Sequence, residues 1–234
     1  MQVVILAGGL ATRMRPDTEN TPKSLLLVNG RPFVDWQLDR LTSSGARSVV
    51  MLVGYLGEQI ETHVRRALDR GLMVSYSYDG EELCGTGGAL RRALARLEPE
   101  FLVTYGDSYL SFDYAAPLAD LRAHPEAAST MSVYRNHGAF GASNVALDGD
   151  WVSKYEKGSN DAALDCIDYG AIALRRSVLE EVADGAVWGL EALWKKLARK
   201  RQLRALLVPE RFYEIGSPEG RAGLEQHLAR EVPA

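Results

Sequence analysis

The sequence predicts an α/β fold, a three-layer sandwich whose mixed, mainly parallel central sheet is covered by helices on both faces. Two observations carry this. Through residue 107, apolar runs of strand length alternate with stretches whose apolar residues recur three and four apart, the pattern of right-handed β-α-β crossovers. The two most distinctive features, a Gly-rich loop at 8–23 and Asp107, both follow strands, at the rim where parallel sheets carry their ligand sites.

Each element has its own signal. Val3 to Ala7 is a continuous apolar strand stopped by Gly8-Gly9. Pro32 stands where a first helical turn can begin, Val34, Leu38 and Leu41 share one face, and Gly45 ends the pattern. A second strand, 48–53, ends at Gly54. Gly57 opens a helix with Ile60, Val64 and Leu68 on one face and Gly71 at its end. Residues 72–78 alternate like a strand. A polar loop, 79–88, leads into a third helix bearing Leu90, Leu94 and Leu97, and the strand 101–105 ends at Gly106-Asp107.

The second half is less regular. Residues 114–122 read as a helix, and 129–135, 142–147, 151–155 and 166–174 as strands separated by Gly, Asn and Asp turns. Leu190, Leu193, Trp194, Leu197 and Ala198 form a helical stripe, followed by a strand at 203–208 and a closing helix at 218–230. No repeat or long linker interrupts the chain, which reads as one domain, 1–234, whose second half walls a substrate pocket.

Composition narrows the function. With 234 residues the chain can bury a sizeable core without disulfide staples. A net charge of −4 excludes a broad basic face for nucleic acid, so any attraction for anions is local. Cys84 and Cys166 fit no metal-ligand spacing and read as reduced thiols. The first apolar run lacks a basic flank, and no segment approaches the roughly 20 residues of a membrane span. The expectation is a soluble cytoplasmic protein, monomer or homodimer, without membrane partners.

The opening loop carries the chemistry. Backbone N–H groups approach phosphate oxygens closely where glycine leaves out a Cβ, and Arg13 and Lys23 add positive charge. This suits a nucleoside triphosphate. The spacing is neither the P-loop nor G-x-G-x-x-G. Asp107 after Gly106 is, taken alone, an ordinary turn or cap residue, and Glu156-Lys157 an exposed charge pair at a turn. Trp36, Trp188 and Trp194 read as packing residues, and Lys195 to Arg201 as the solvated face of a helix.

Leu6-Ala7-Gly8-Gly9-x-x-Thr12-Arg13-Met14-x-Pro16, followed by Pro22-Lys23-Ser24-Leu25-Leu26, resembles the signature of the sugar-phosphate nucleotidylyltransferases. The likeness recurs at Gly85 to Ala89, Gly106-Asp107, Phe140-Gly141, Glu156-Lys157 and Ile215 to Glu219, and so spans nearly the whole chain. It implies a Rossmann-like nucleotidyltransferase fold with a nucleotide-binding half, 1–110, and a sugar-phosphate-binding half, 111–234.

The resemblance implies roles residue by residue. Arg13, Lys23 and Asp107 are the expected catalytic groups; Leu6, Ala7, Gly8, Gly9, Thr12, Gly85 and Thr86 the nucleotide contacts. Gly141, Glu156, Lys157, Asp168 and Gly170 are the expected sugar-phosphate contacts, with Glu156 accepting from sugar hydroxyls and Lys157 near the phosphate. Asp107 and Glu214 would hold Mg²⁺, which takes a few carboxylate oxygens together with phosphate and water. The pattern departs from the family at Ala11, usually glycine; at Gly80, where a base-reading Gln or Glu is usual; at Glu214, usually aspartate; and at Asp168-Tyr169-Gly170, usually Asn-Ala-Gly. The expected reaction joins a triphosphate to a sugar 1-phosphate and releases pyrophosphate, with GTP and D-glycero-α-D-manno-heptose 1-phosphate as substrates. The alternatives are UTP with an amino-sugar or hexose 1-phosphate, CTP with phosphocholine against Tyr155, Tyr169 and Asp168, and a sugar-nucleotide sensor without catalysis.

Overall fold

The structure is a computed structural model and describes residues 1–66, 71–80 and 83–231. In chain order its elements are β1 (Gln2–Ala7), β2 (Leu27–Val28), β3 (Arg31–Pro32), α1 (Phe33–Ser43), β4 (Ser48–Val53), α2 (Gly57–Arg66), β5 (Met73–Tyr78), α3 (Gly85–Arg92), β6 (Glu100–Tyr105) and β7 (Ser108–Leu110). There follow α4 (Ala116–Ala123), β8 (Ser129–Arg135), β9 (Val145–Asp148), β10 (Trp151–Tyr155), β11 (Cys166–Arg175), α5 (Ser177–Glu180), α6 (Leu190–Arg199), β12 (Leu203–Leu207), β13 (Phe212–Glu214) and α7 (Pro218–Glu231).

One nine-stranded sheet runs through both halves in the order β5-β4-β1-β6-β11-β8-β12-β10-β9. The first four are parallel; β11 and β10 run against the others. β9 also pairs with β11, which curls the far end of the sheet back on itself. The alternation of side chains along β1 shows why the fold has three layers. Val4 packs into a core with Leu90, Leu97 and Trp194 on one face, while Val3 and Ile5 pack with Leu38, Leu41 and Ile60 on the other. At β1, β4 and β6 both faces are covered, which explains why these strands read as unbroken apolar runs.

Most elements stand where the apolar periodicity places them. Several boundaries differ: α3 already begins at Gly85, inside the expected loop, and α4 at Ala116 rather than 114. The third helix ends at Arg92, and Leu94 lies in a separate 3₁₀ turn, because the chain tightens before Leu97. Pro32 precedes the first helix instead of opening it, paired into a short ribbon with Leu27. The strand read from 142 begins at Val145. Leu68 lies outside the described residues. Cys84 and Cys166 are free and buried, and no helix among the described residues is long and apolar enough to cross a membrane.

The element that matters most for the site is the two-stranded ribbon of β7 and β13, which pairs Ser108 with Glu214. The backbone N–H of Ile215 donates to the carbonyl of Asp107 at 3.0 Å, so the ribbon lays Asp107 and Glu214 side by side. The turn that carries Asp107 is gripped from two directions. Gly106 N–H donates to the Leu6 carbonyl at 2.9 Å, and a Cβ on Gly106 would lie 2.7 Å from that same oxygen. From the helical layer, the buried Gln37 amide donates to the carbonyls of Tyr105 and Ser108 at 2.8 and 3.0 Å.

Candidate active site

A cleft of about 260 Å³ opens at the C-terminal ends of β1, β4 and β6. Leu6 to Gly9 form one wall, Gly85 and Thr86 another, and Lys23, Tyr105 and Asp107 the far end. Leu52, Leu83 and Ala89 make its floor apolar. Of the residues expected to hold a nucleotide, Thr12 alone is not part of the lining. It lies with Arg13 in the exposed 3₁₀ turn Thr12–Met14.

The charged residues of the two halves meet at the cleft's far end. Lys23 Nζ is 2.8 Å from Asp107 Oδ2, both partly exposed. Gly216 marks the convergence: a Cβ there would stand 3.3 Å from Asp107 Oδ2, 3.6 Å from an Arg13 guanidinium nitrogen, and 2.6 Å from Glu214 Oε2. The Glu214 carboxylate turns back on its own chain, accepting from the Gly216 N–H and from the Ser217 hydroxyl at 2.6 Å. Among the described residues no cluster of three carboxylate, thiol or imidazole groups could hold a metal by itself. Asp107 and Glu214 are therefore a pair of carboxylates beside two cations. This donor set suits a hard cation that takes its remaining oxygens from phosphate and water.

On the acceptor side, Asp168 lies behind Tyr105. Its Oδ2 accepts from the Tyr105 hydroxyl at 2.8 Å and the Tyr155 hydroxyl at 3.3 Å, and its Oδ1 from the Gly170 N–H at 3.0 Å. Burial pushes the Asp168 pKa up, opposed by the Tyr105 hydrogen bond and by the Lys157 charge. Burial, then Asp168, raises the Tyr105 phenol well above its ordinary value. Gly170 has φ +95°, and a Cβ there would come 3.2 Å from the Tyr105 ring, so glycine serves both the backbone and the packing. Lys157 Nζ stands 5.9 Å from the centre of the Tyr105 ring.

None of the five expected sugar contacts is part of the cleft lining. Gly141 sits in an exposed loop and its carbonyl accepts from Asn136. Glu156 is partly buried in a separate crevice between β10 and α6, with Lys154 Nζ 3.0 Å and Lys195 Nζ 3.8 Å from its carboxylate.

The Gly85-Thr86-Gly87-Gly88 loop has a structural explanation beside its place in the cleft wall. A Cβ at Gly85 would lie 2.5 Å from the Trp188 carbonyl oxygen, at Gly87 2.6 Å from the Trp188 indole, and at Gly88 2.5 Å from the Ala186 carbonyl. The segment 186–188 lies flat on these glycines, and Gly87 N–H donates to the Trp188 carbonyl at 3.1 Å. Thr86 Oγ1 accepts from the Leu190 N–H at 3.0 Å, capping α6.

Sequence reasoning overlooked Asp79, a buried carboxylate in the cleft. Its Oδ1 accepts from the Cys84 thiol at 3.4 Å. Its Oδ2 would lie 3.0 Å from a Cβ at either Gly8 or Gly54, so both glycines leave it room. Burial raises its pKa. Asp79 immediately precedes Gly80, where the family usually carries a base-reading side chain; an acidic residue one step away, just after β5, is the available signal. Tyr105, which joins the cleft to Asp168, carries no signal in the sequence beyond ending a strand.

Residues 3–211 match the family model described as the MobA-like NTP transferase domain. The chain belongs to this family. It is therefore a nucleotidyltransferase, as the opening loop implies. It is 27% identical to the D-glycero-alpha-D-manno-heptose 1-phosphate guanylyltransferase of Campylobacter jejuni, over 94% of this chain and 96% of that protein. It is 28% identical to the N-acetylmuramate alpha-1-phosphate uridylyltransferase of Caulobacter vibrioides, over 97% of this chain and 96% of that protein. The crystal structure of HddC from Yersinia pseudotuberculosis complexed with GMP-PN shares the fold, with a TM-score of 0.79 at 23% identity, covering 97% of this chain and 99% of that one.

Proposed function

We propose that the protein transfers GMP from GTP to a sugar 1-phosphate, releasing pyrophosphate, with D-glycero-α-D-manno-heptose 1-phosphate as the acceptor. The acceptor class is supported by the two relatives above, both named for sugar 1-phosphate substrates. The observation that carries the choice of base is Asp79. A carboxylate in an apolar cleft needs donors, and guanine presents N1–H and N2–H₂ side by side. Uracil presents one N–H flanked by two carbonyl oxygens, which a carboxylate repels. A hydrogen bond to a charged group is worth about 1.5–3 kcal/mol, or roughly 10- to 100-fold in affinity.

In the proposed reaction an oxygen of the sugar phosphate attacks the α-phosphorus in line and the bond to pyrophosphate breaks. The nucleophile is already anionic near neutral pH, so no side chain need remove a proton. Catalysis is then alignment and neutralisation of charge. The Leu6 to Gly9 backbone and the Gly85-Thr86 wall hold the nucleoside, Arg13 grips the departing phosphates, and Lys23 exchanges Asp107 for phosphate oxygens. Lys157 meets the phosphate of the sugar, while Asp168 and Tyr105 present acceptors and a hydroxyl to the ring. Mg²⁺, held by Asp107 and Glu214, supplies neutralisation of the phosphate oxygens when bound.

The test is a pyrophosphate-release screen of GTP, UTP, CTP, ATP and xanthosine triphosphate against a panel of sugar 1-phosphates and phosphocholine. GTP with the heptose phosphate is the expected pair. Asp79→Asn should lose about 10- to 100-fold in kcat/KM with GTP and gain activity with xanthosine triphosphate, whose base carries an acceptor where guanine carries its amino group. A wild-type preference for UTP and N-acetylmuramate 1-phosphate would overturn the proposal in favour of the uridylyltransferase reading.

A further inference from the structure

Helix α1 carries a polar residue where its apolar stripe calls for a hydrophobe. Val34, Leu38 and Leu41 recur along one face, and Gln37 falls among them, three residues after Val34. It is 1% exposed. A buried amide is costly unless its polar atoms are bonded, and only one end of this one is. Nε2 donates to the Tyr105 carbonyl at 2.8 Å and to the Ser108 carbonyl at 3.0 Å. Oε1 has no hydrogen-bond partner among the described residues. Leucine or methionine would bear no such cost, so what sets glutamine apart here is its pair of donors.

The two carbonyls belong to different sheets. Tyr105 ends β6 in the nine-stranded sheet, and Ser108 opens β7 in the ribbon, opposite Glu214. Only Gly106 and Asp107 lie between them. One amide thus spans the turn and ties both its ends to the same helix. Nearly one helical turn further on, Arg40 Nε donates to the Leu110 carbonyl at 3.2 Å, at the other end of β7. Gln37 is not part of the cleft lining, so it reaches the site only through this turn. Asp107 is partly exposed, and the backbone that carries it decides where its carboxylate stands.

We infer that Gln37 is a positioning residue: its amide clamps the turn 105–108 and so sets Asp107 beside Lys23 and Glu214. This rests on the role proposed above for Asp107.

The test uses Gln37→Met, which keeps the length of the side chain and removes both donors, with the triphosphate and sugar 1-phosphate that the screen selects. A small misplacement of a catalytic group costs up to about 100-fold, so kcat should fall by about 10- to 100-fold. Both KM values should stay within a factor of about two. In an Asp107→Asn background the same substitution should cost no more than about threefold, because the group it positions is gone. Hydrogen exchange supplies a readout apart from turnover. The Gly106 and Ile215 amides, which bond across the turn and the ribbon, should exchange about 2- to 10-fold faster, while those of β4 are unchanged. If Gln37→Met does not fold, Gln37→Asn, an amide one methylene shorter, should show the same split between kcat and KM. A normal kcat beside faster exchange would overturn the inference, because the turn's placement would not matter. A full loss of kcat in the Asp107→Asn background would overturn it too, because Gln37 would act elsewhere, as would raised KM values with exchange faster throughout. A slow Asp107→Asn with a normal Gln37→Met removes this inference alone. If Asp107→Asn keeps normal turnover, the role of Asp107 falls and the inference with it.

Discussion

Ala11 is the residue whose backbone asks most of its side chain. Its φ of 50° and ψ of 38° place it in the left-handed region, where a Cβ costs roughly 1–2 kcal/mol and glycine nothing. The Thr18 hydroxyl fixes it there, donating to the Ala11 carbonyl at 2.8 Å. The glycine usual in the family at this position is thus explained by conformation, and the methyl changes the loop's energy more than its shape. Ala11→Gly also makes the unfolded chain more flexible, which offsets part of the gain. The net expectation is a stabilisation of about 1 kcal/mol or less, raising Tm by up to about 2–4 °C, with turnover undiminished. Thermal unfolding and a pyrophosphate assay check both. A second expectation at this scale concerns Asp79. Burial raises its pKa, and only the ionised form offers two acceptors to guanine. As pH falls through that raised value, KM for GTP should climb at a pH where an ordinary surface aspartate would still be charged. The Asp79→Asn variant should lack this limb of the profile.

Among the elements, the turn into α3 shows a conflict of effects that magnitude decides. Gly87 lies inside the helix, where alanine is intrinsically better by about 0.8–1 kcal/mol. Its missing Cβ, however, is the floor under the Trp188 indole, with ring carbons at 2.6–2.7 Å. Overpacking of this kind costs about 1–3 kcal/mol, and a rigid bicyclic ring cannot yield as a flexible chain end would. Gly87→Ala should therefore destabilise the protein, visible as a Tm lower by several degrees. An unchanged Tm would mean that segment 186–188 moves aside freely. The same turn shows what the sequence conveyed. The periodicities in 33–43, 57–66 and 190–199 are dictated by burial against a sheet, a local signal, so those helices were legible. The three glycines and the threonine at 85–88 were legible as a special turn, but not as the bed for a segment about a hundred residues later. The ribbon of β7 and β13, only three residues per strand, carries no periodicity at all. Asp79 and Tyr105 belong to the same class, since each acquires its place in the site from distant parts of the chain.

At the scale of the molecule, the candidate site gathers charged residues from distant parts of the chain. Lys23 comes from the loop after β1 and Asp107 from the turn after β6, and Glu214 is delivered by the last strand. The Lys23–Asp107 pair is partly exposed, so its contribution to stability is small, under about 1 kcal/mol. Its contribution to catalysis should be of another order, because removing one donor aimed at transition-state charge costs about 10²- to 10³-fold in kcat. Lys23→Ala should accordingly lose on the order of a hundredfold in turnover while its Tm stays within a degree or two of the wild type. Asp107→Asn tests the other partner. If Asp107 serves only to orient Lys23, the double variant should be no slower than Lys23→Ala alone, and its Mg²⁺ dependence should match the wild type's. If Asp107 holds the metal, Asp107→Asn should shift the Mg²⁺ dependence of pyrophosphate release to higher concentration even in the Lys23→Ala background. The second outcome is expected, since the β7–β13 ribbon places a second carboxylate, Glu214, beside Asp107. An orienting residue alone would not require that second carboxylate.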